Sequence, residues 1–326
     1  MGSGLLAGRY RLDRVLGSGG TGTVWQGFDT QLTRAVAVKE LHIPDAIDDA
    51  EARELVERVM IEAQSAARID HPNVVKIFDV LTEDGKPWLV MQLVHGQTLA
   101  QKLRSGPLTI DQAVTVGLGV VEALAAAHAL GIVHRDVKPA NVLLAGTGQV
   151  LLTDFSIAKV IGRPGITRNS DVWGTPGYIA PELVKNWAPG PPSDLFGLGV
   201  LLFRAVEGSG PFDRGDPGAA MIASVTEPHP RPVRAGPLTP VIDGLLEKDP
   251  MVRWTAQATR TALDALARRD PAPVSSRAVT PAPAAICAVL PAGDRAHHAA
   301  NLQAVRRHAG SASARSSCST VSLGPP

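Results

Sequence analysis

The stretch "VLGSGGTGTVW" (residues 15–25) places four glycines in eleven positions, a density suited to backbone wrapped closely around phosphates. Gly17, Gly19 and Gly22 satisfy G-x-G-x-x-G, a pattern too short to choose a fold by itself. The P-loop reading fails because Thr23 stands where that motif requires lysine. A dinucleotide fold requires a helix directly after the third glycine, its N-terminus facing the pyrophosphate. The residues that follow are Val24-Trp25-Gln26-Gly27-Phe28, ending at Asp29, and they read as a strand. The glycines therefore belong to a β-hairpin laid over phosphates, not to a helix start.

Bulk properties narrow the classes further. A chain of 326 residues accommodates one large two-lobed domain or two small ones, and its 44% hydrophobic content supports a sizeable core. A formal net charge of +1 gives no basis for nucleic acid or an anionic membrane as the main partner. The cysteines, Cys287 and Cys318, both fall in the C-terminal tail. The main body thus has no disulfide framework or cysteine-ligated zinc site, which fits a reducing, cytoplasmic location. The N-terminus turns charged before an apolar stretch can form, so no signal peptide is expected. The tail's apolar run "APAAICAVLPAG" (282–293) is too short for a membrane span, and no span is expected.

Along the chain, residues 10–88 favour strands with one helix between them. "AVAVKEL" (35–41) alternates small apolar residues with a single lysine, and "DDAEARELVERVMIEAQSAARI" (48–69) spaces Leu55, Val59 and Ala66 as an amphipathic helix. "VVKIFDVLTEDGKPWLVMQLV" (74–94) reads as two strands around the turn 83–86. After Gly96 the pattern becomes helical, with helices expected over 109–131, 194–207 and 255–268. Past Asp270 the composition shifts to Pro, Ala, Ser and Arg without periodicity, which reads as disorder.

The segment "HRDVKPANVLL" (134–144) completes an ordered set with the glycine hairpin, "VAVK" (36–39), "DFS" (154–156) and "APE" (180–182). Asn141 lies five residues after Asp136, Asp154 eighteen after it, and Asp194 twelve after Glu182. Over residues 10–269 this set resembles the signature of protein kinases, and in style the chain is most similar to the bacterial, eukaryotic-like serine/threonine protein kinases. The resemblance implies an α+β, two-lobed protein-kinase fold. Residues 10–94 form a small β-rich N-lobe with one key helix, 95–269 a larger, mostly helical C-lobe, and 270–326 the tail.

It also implies roles. Lys39 would pair with the α- and β-phosphates of ATP, oriented by Glu62 on the following helix. Asp136 would accept the proton of the incoming hydroxyl, and Lys138 would contact the transferred phosphate and favour Ser/Thr acceptors. Asn141 and Asp154 would supply hard oxygen ligands for Mg²⁺, with Mn²⁺ as a substitute. Leu16, Val24 and Ala37 would lie above the adenine and Leu143 below it, with Met91 as gatekeeper and the backbone of Gln92 and Val94 as hinge. Gly17, Gly19 and Gly22 would cover the phosphates.

Glu182 and Arg253 are expected to form a buried ion pair, and Asp194 to anchor the catalytic loop. Arg135 would clamp an activation loop phosphorylated at Thr167 and Ser170. Thr175 would contact Asp136 and the acceptor site. Ser156 replaces the glycine of D-F-G, a departure expected to alter switching and not to remove the metal ligand. The implied partners are protein substrates, and a homodimer through the small lobes for activation. Two alternatives stand beside this reading: a nucleotide-binding pseudokinase scaffold, and a small-molecule phosphotransferase of related fold. The intact set of Lys39, Glu62, Asp136, Asn141 and Asp154 speaks against the first, and the A-P-E segment after "GTPGYI" against the second.

Overall fold

The glycine-rich stretch folds back on itself in the computed structural model, which describes residues 5–19, 22–43, 48–155 and 177–269. Strands β1 (Tyr10–Gly19) and β2 (Gly22–Asp29) pair antiparallel, with Gly17 opposite Val24 and Ser18 opposite Thr23. Glycine is required at position 22: its φ is +151°, and a Cβ there would run into the carbonyl oxygen of Glu40. With β3 (Arg34–Leu41), β4 (Ile77–Glu83) and β5 (Lys86–Gln92), the hairpin forms a five-stranded sheet in the order β1-β2-β3-β5-β4. The alternation of "AVAVKEL" sorts its two faces. Val36 and Val38 pack outward under Tyr10, Trp25 and Trp88, while Ala37 and Leu41 pack inward with Leu89 and Met91.

Helix α1 (Asp49–Ala66) lies along β4 and β5 and starts where Asp48 accepts from the backbone N–H groups of Ala50 and Glu51, at 2.9 and 2.8 Å. Leu55, Val59, Ala63 and Ala66 form its buried stripe.

Asp29, at the end of β2, is fully buried and receives two hydrogen bonds from the Arg9 guanidinium, at 2.8 and 2.7 Å. Those bonds, against the opposing effect of burial and helped by the N–H groups of Leu32 and Gln31, hold its carboxyl down to about 2. In the unfolded chain the same group titrates near ~4. The unfolded state therefore binds more protons between those values, and N-lobe stability should fall as pH drops from ~4 towards ~2. Asp29→Asn should flatten that limb of an acid-unfolding curve; an unchanged curve would mean that Asp29 does not govern it.

The C-lobe is built around α3 (Ile110–Ala129), capped by reciprocal Thr109–Gln112 hydrogen bonds and ended by Gly131 at φ +73°. This helix is long and apolar enough, by length and composition, to cross a membrane. In the fold its apolar residues, among them Val116, Val120 and Leu124, are buried in the C-lobe core against α5 (Pro191–Glu207) and α8 (Ala256–Ala267). Its hydropathy is that of a helix surrounded by protein.

Two features differ from the sequence reading. Helix α5 begins at Pro191, three residues before the expected start at 194, because Ser193 Oγ and the backbone of Gly190 close its first turn and proline suits that position. The region after Gly96, read as helical, also contains a three-stranded sheet of β6 (Gly96–Thr98), β7 (Val142–Ala145) and β8 (Val150–Leu152). Between and after these run the short helices α2 (Leu99–Leu103), α4 (Pro181–Val184), α6 (Pro217–Thr226) and α7 (Thr239–Leu245). The tail assigned to 270–326 lies outside the described residues.

Candidate active site

The catalytic loop hangs from one carboxylate. Asp194, in the first turn of α5 and 2% exposed, accepts from the backbone N–H groups of His134 (2.8 Å) and Arg135 (2.7 Å). The His128 ring from α3 bonds the same carboxylate at 2.8 Å. The buried ring of His134 accepts from Asp136 N at 3.2 Å through Nδ1, so its Nε2–H donates to the Thr153 carbonyl at 2.9 Å. It also packs against Phe155, with ring centroids 4.6 Å apart. Arg135 (φ +67°) and Asp154 (φ +63°) both occupy the left-handed region, which non-glycine residues adopt only under constraint.

These constraints gather the polar groups. Asp136 Oδ2 lies 2.7 Å from Lys138 Nζ and 3.1 Å from Asn141 Nδ2, which also donates to the Asp136 carbonyl at 2.8 Å. With its amide nitrogen so engaged, Asn141 retains its Oδ1 as an acceptor. Lys39, 4% exposed, donates to Asp154 Oδ1 at 2.7 Å. Burial pushes the Asp154 carboxyl up, but the charge and hydrogen bond of Lys39 outweigh it and hold the group below its ordinary value. Asp154 is therefore ionised at neutral pH.

One expected contact is corrected. Glu62 does not orient Lys39: its Oε1 faces Arg135 Nη1 at 3.4 Å, while Lys39 takes Asp154 as its short carboxylate partner. Two acids and two cations share this space, and each acid has settled on a different cation. Arg135, assigned to a phosphorylated loop, is thus engaged with Glu62 through one guanidinium nitrogen. Thr167, Ser170, Thr175 and Ser156 lie outside the described residues.

Beside this cluster a cleft of about 310 Å³ opens between the two sheets, a size suited to a nucleotide. Leu16, Gly17, Val24 and Ala37 line it from the hairpin side and Leu143 from β7. Met91, Gln92 and Val94 form its edge, and Lys39 and Asp154 its inner end. The N–H of Gln92 is spent on the Lys76 carbonyl at 2.8 Å. Gly19 and Gly22 sit in the hairpin without lining the cleft. The sequence reading missed Val75, Leu93, Ala140 and Thr153, and the front rim of Gly96, Gln97, Thr98 and Gln101. Part of that rim was signalled by the T-x-x-Q box that opens α2, with Thr98 and Gln101 exchanging hydrogen bonds of 2.8 and 3.0 Å.

Away from the cleft, Glu182 and Arg253 form a bidentate pair of 2.7 and 3.0 Å, with side chains 5% and 0% exposed.

Residues 10–262 match the protein kinase domain family. The chain belongs to that family. It is 38% identical over 310 residues to the serine/threonine-protein kinase PknA of Mycobacterium tuberculosis, covering 91% of this chain and 70% of that one. It is 40% identical over 231 residues to PkaB of Streptomyces coelicolor (68% and 54% covered) and 35% over 255 residues to PrkC of Bacillus subtilis (76% and 39% covered). Both of these also bear the name serine/threonine-protein kinase. The kinase's two-lobed architecture, a β-sheet N-lobe above a helical C-lobe, is the fold that membership implies.

Proposed function

We propose that this kinase transfers the γ-phosphoryl group of ATP to serine and threonine hydroxyls of proteins. The observation that carries the reading is the convergence of Asp136, Lys138 and Asn141 with the Lys39–Asp154 pair at the inner end of an apolar cleft. Phosphoryl transfer asks little covalent chemistry of a protein, so positioning and charge neutralisation are the requirements to meet.

Family membership implies ATP and a divalent metal. The residues present fit both. The apolar walls suit an adenine ring, and the Asn141 oxygen and ionised Asp154 carboxylate form a hard-oxygen donor pair suited to Mg²⁺ or Mn²⁺. A cation held there supplies neutralisation of phosphate charge. Asp136 accepts the proton of the acceptor hydroxyl, and Asn141 and Lys138 fix its orientation. Lys138 adds positive charge beside the acceptor site, and Lys39 does so at the cleft's inner end. The Nε of Arg135, buried without a partner among the described residues, supports its use as a donor to a loop phosphorylated at Thr167 and Ser170. Positioning of the acceptor by Thr175, small-lobe homodimerisation and a cytoplasmic location belong to the same proposal and rest on the family resemblance.

The test is incubation with γ-labelled ATP, Mg²⁺ and a generic acceptor protein, followed by phosphoamino-acid analysis. Phosphoserine and phosphothreonine are expected. Phosphotyrosine alone would overturn the acceptor class, and no transfer with retained ATP binding would hand the reading to a pseudokinase.

A further inference from the structure

We propose that His42 is a positioning residue for the glycine hairpin, tying it to the end of β3 through the hydroxyl of Thr23. This rests on the kinase reading of the cleft.

Strand alternation sets up the contact. Val24 lines the cleft, so its neighbour Thr23 lies on the opposite, outer face of β2. On β3, Ala37 and Lys39 line the cleft while Val36 and Val38 pack on the outer face, and His42, two residues past Glu40, continues that outer row. Cross-strand pairing puts Ser18 opposite Thr23, and Thr23 opposite Glu40. The side chains then join in a string: Ser18 Oγ to Thr23 Oγ1 at 3.2 Å, and Thr23 Oγ1 to His42 Nε2 at 3.3 Å. A hydroxyl can donate one bond and accept another, so Thr23 can satisfy both neighbours at once.

Backbone pairing holds β1 to β2 as far as Gly19 opposite Gly22, and β2 to β3 as far as Gly22 opposite Leu41, but side chains add little to it. Gly17 and Gly19 have open space where a side chain would be, and Val15 and Leu16 are 47% and 42% exposed. Gly22, opposite Leu41 at the start of β2, packs its backbone on Glu40. Next to it the string links both hairpin strands to the end of β3 by side chains. His42 touches no cleft-lining residue through it, so its effect on nucleotide must pass through where Leu16, Gly17 and Val24 are held.

Loss of one such exposed hydrogen bond should raise the KM for ATP by about threefold and speed ADP release by a similar factor. His42→Ala and Thr23→Val should each do this, and the double variant should do no more than either alone, since both break the same string. His42→Gln, whose amide can replace the ring nitrogen, should recover most of the loss. Steady-state kinetics with a generic acceptor protein, and stopped-flow release of a fluorescent ADP analogue, read these effects. Multiplying effects in the double variant, unchanged KM and release, or His42→Gln behaving as His42→Ala would each overturn the proposal while leaving the kinase reading intact. Absence of nucleotide binding by the unaltered protein would overturn both.

Discussion

Replacing Asp136 with asparagine should lower the rate of phosphoryl transfer on the order of 10³-fold, the loss expected when a positioned general base can no longer take a proton. The change is nearly isosteric. An asparagine oxygen can still accept from Lys138 Nζ, now 2.7 Å from the carboxylate, and from Asn141 Nδ2 at 3.1 Å. The main-chain bond of residue 136 to the His134 ring is also untouched. The loop should therefore keep its shape, and because Asp136 does not line the cleft, nucleotide affinity should change little. The measurement is the initial rate on a generic acceptor protein beside a direct nucleotide-binding titration. Residual transfer above a tenth of the unaltered rate would remove Asp136 from the role of base and leave it an orienting group.

Arg253→Ala should act on folding before chemistry. The guanidinium is fully buried, pairs with both oxygens of Glu182, and donates to the carbonyls of Pro192 (2.7 Å), Glu247 (2.9 Å) and Lys248 (3.3 Å). It also stands 5.0 Å from the centre of the Phe196 ring. Truncation leaves an unpaired buried carboxylate, for which a loss of ~3–5 kcal/mol is typical. Set against a whole-domain stability of ~5–15 kcal/mol, that is a large fraction. Melting should fall by roughly 10 °C in a domain of this size. The double change Glu182→Leu with Arg253→Met removes both charges and should lose less than Arg253→Ala alone. A melting point within about 2 °C of the unaltered protein's would mean that the pair does not anchor the C-lobe.

Much of the site could be read from the chain because its chemistry is carried by local patterns. The alternation in "AVAVKEL" separated the cleft face of Ala37 and Lys39 from the outer face of Val36 and Val38. Thr109 and Gly131 marked the ends of α3, and turn residues marked the break between β4 and β5. What escaped was tertiary or too short to show a period. Strands β6 and β8 have three residues each, and nothing in such runs distinguishes strand from loop. The helix expected from 194 left out Pro191 and Pro192, which open α5 where a missing N–H costs nothing. The kinase resemblance, and not any spacing along α1, identified Glu62 as a candidate carboxylate. Which cation it meets depends on where α1 sits against the C-lobe, and no repeat along one helix encodes that.

The suspension of the catalytic loop from Asp194 has an energetic consequence. The amides of His134 and Arg135 belong to a loop, yet both donate to a carboxylate that is 2% exposed and braced by His128. Freeing either amide for exchange with solvent means withdrawing α5's first turn from its contacts, which include the bond from Arg253 to the Pro192 carbonyl. Such protons should exchange chiefly through an opening that engages the C-lobe core. In its protection against deuterium the loop should therefore rank with the central helices, so that the geometry at Asp136 is tied to the folding of the lobe beneath it.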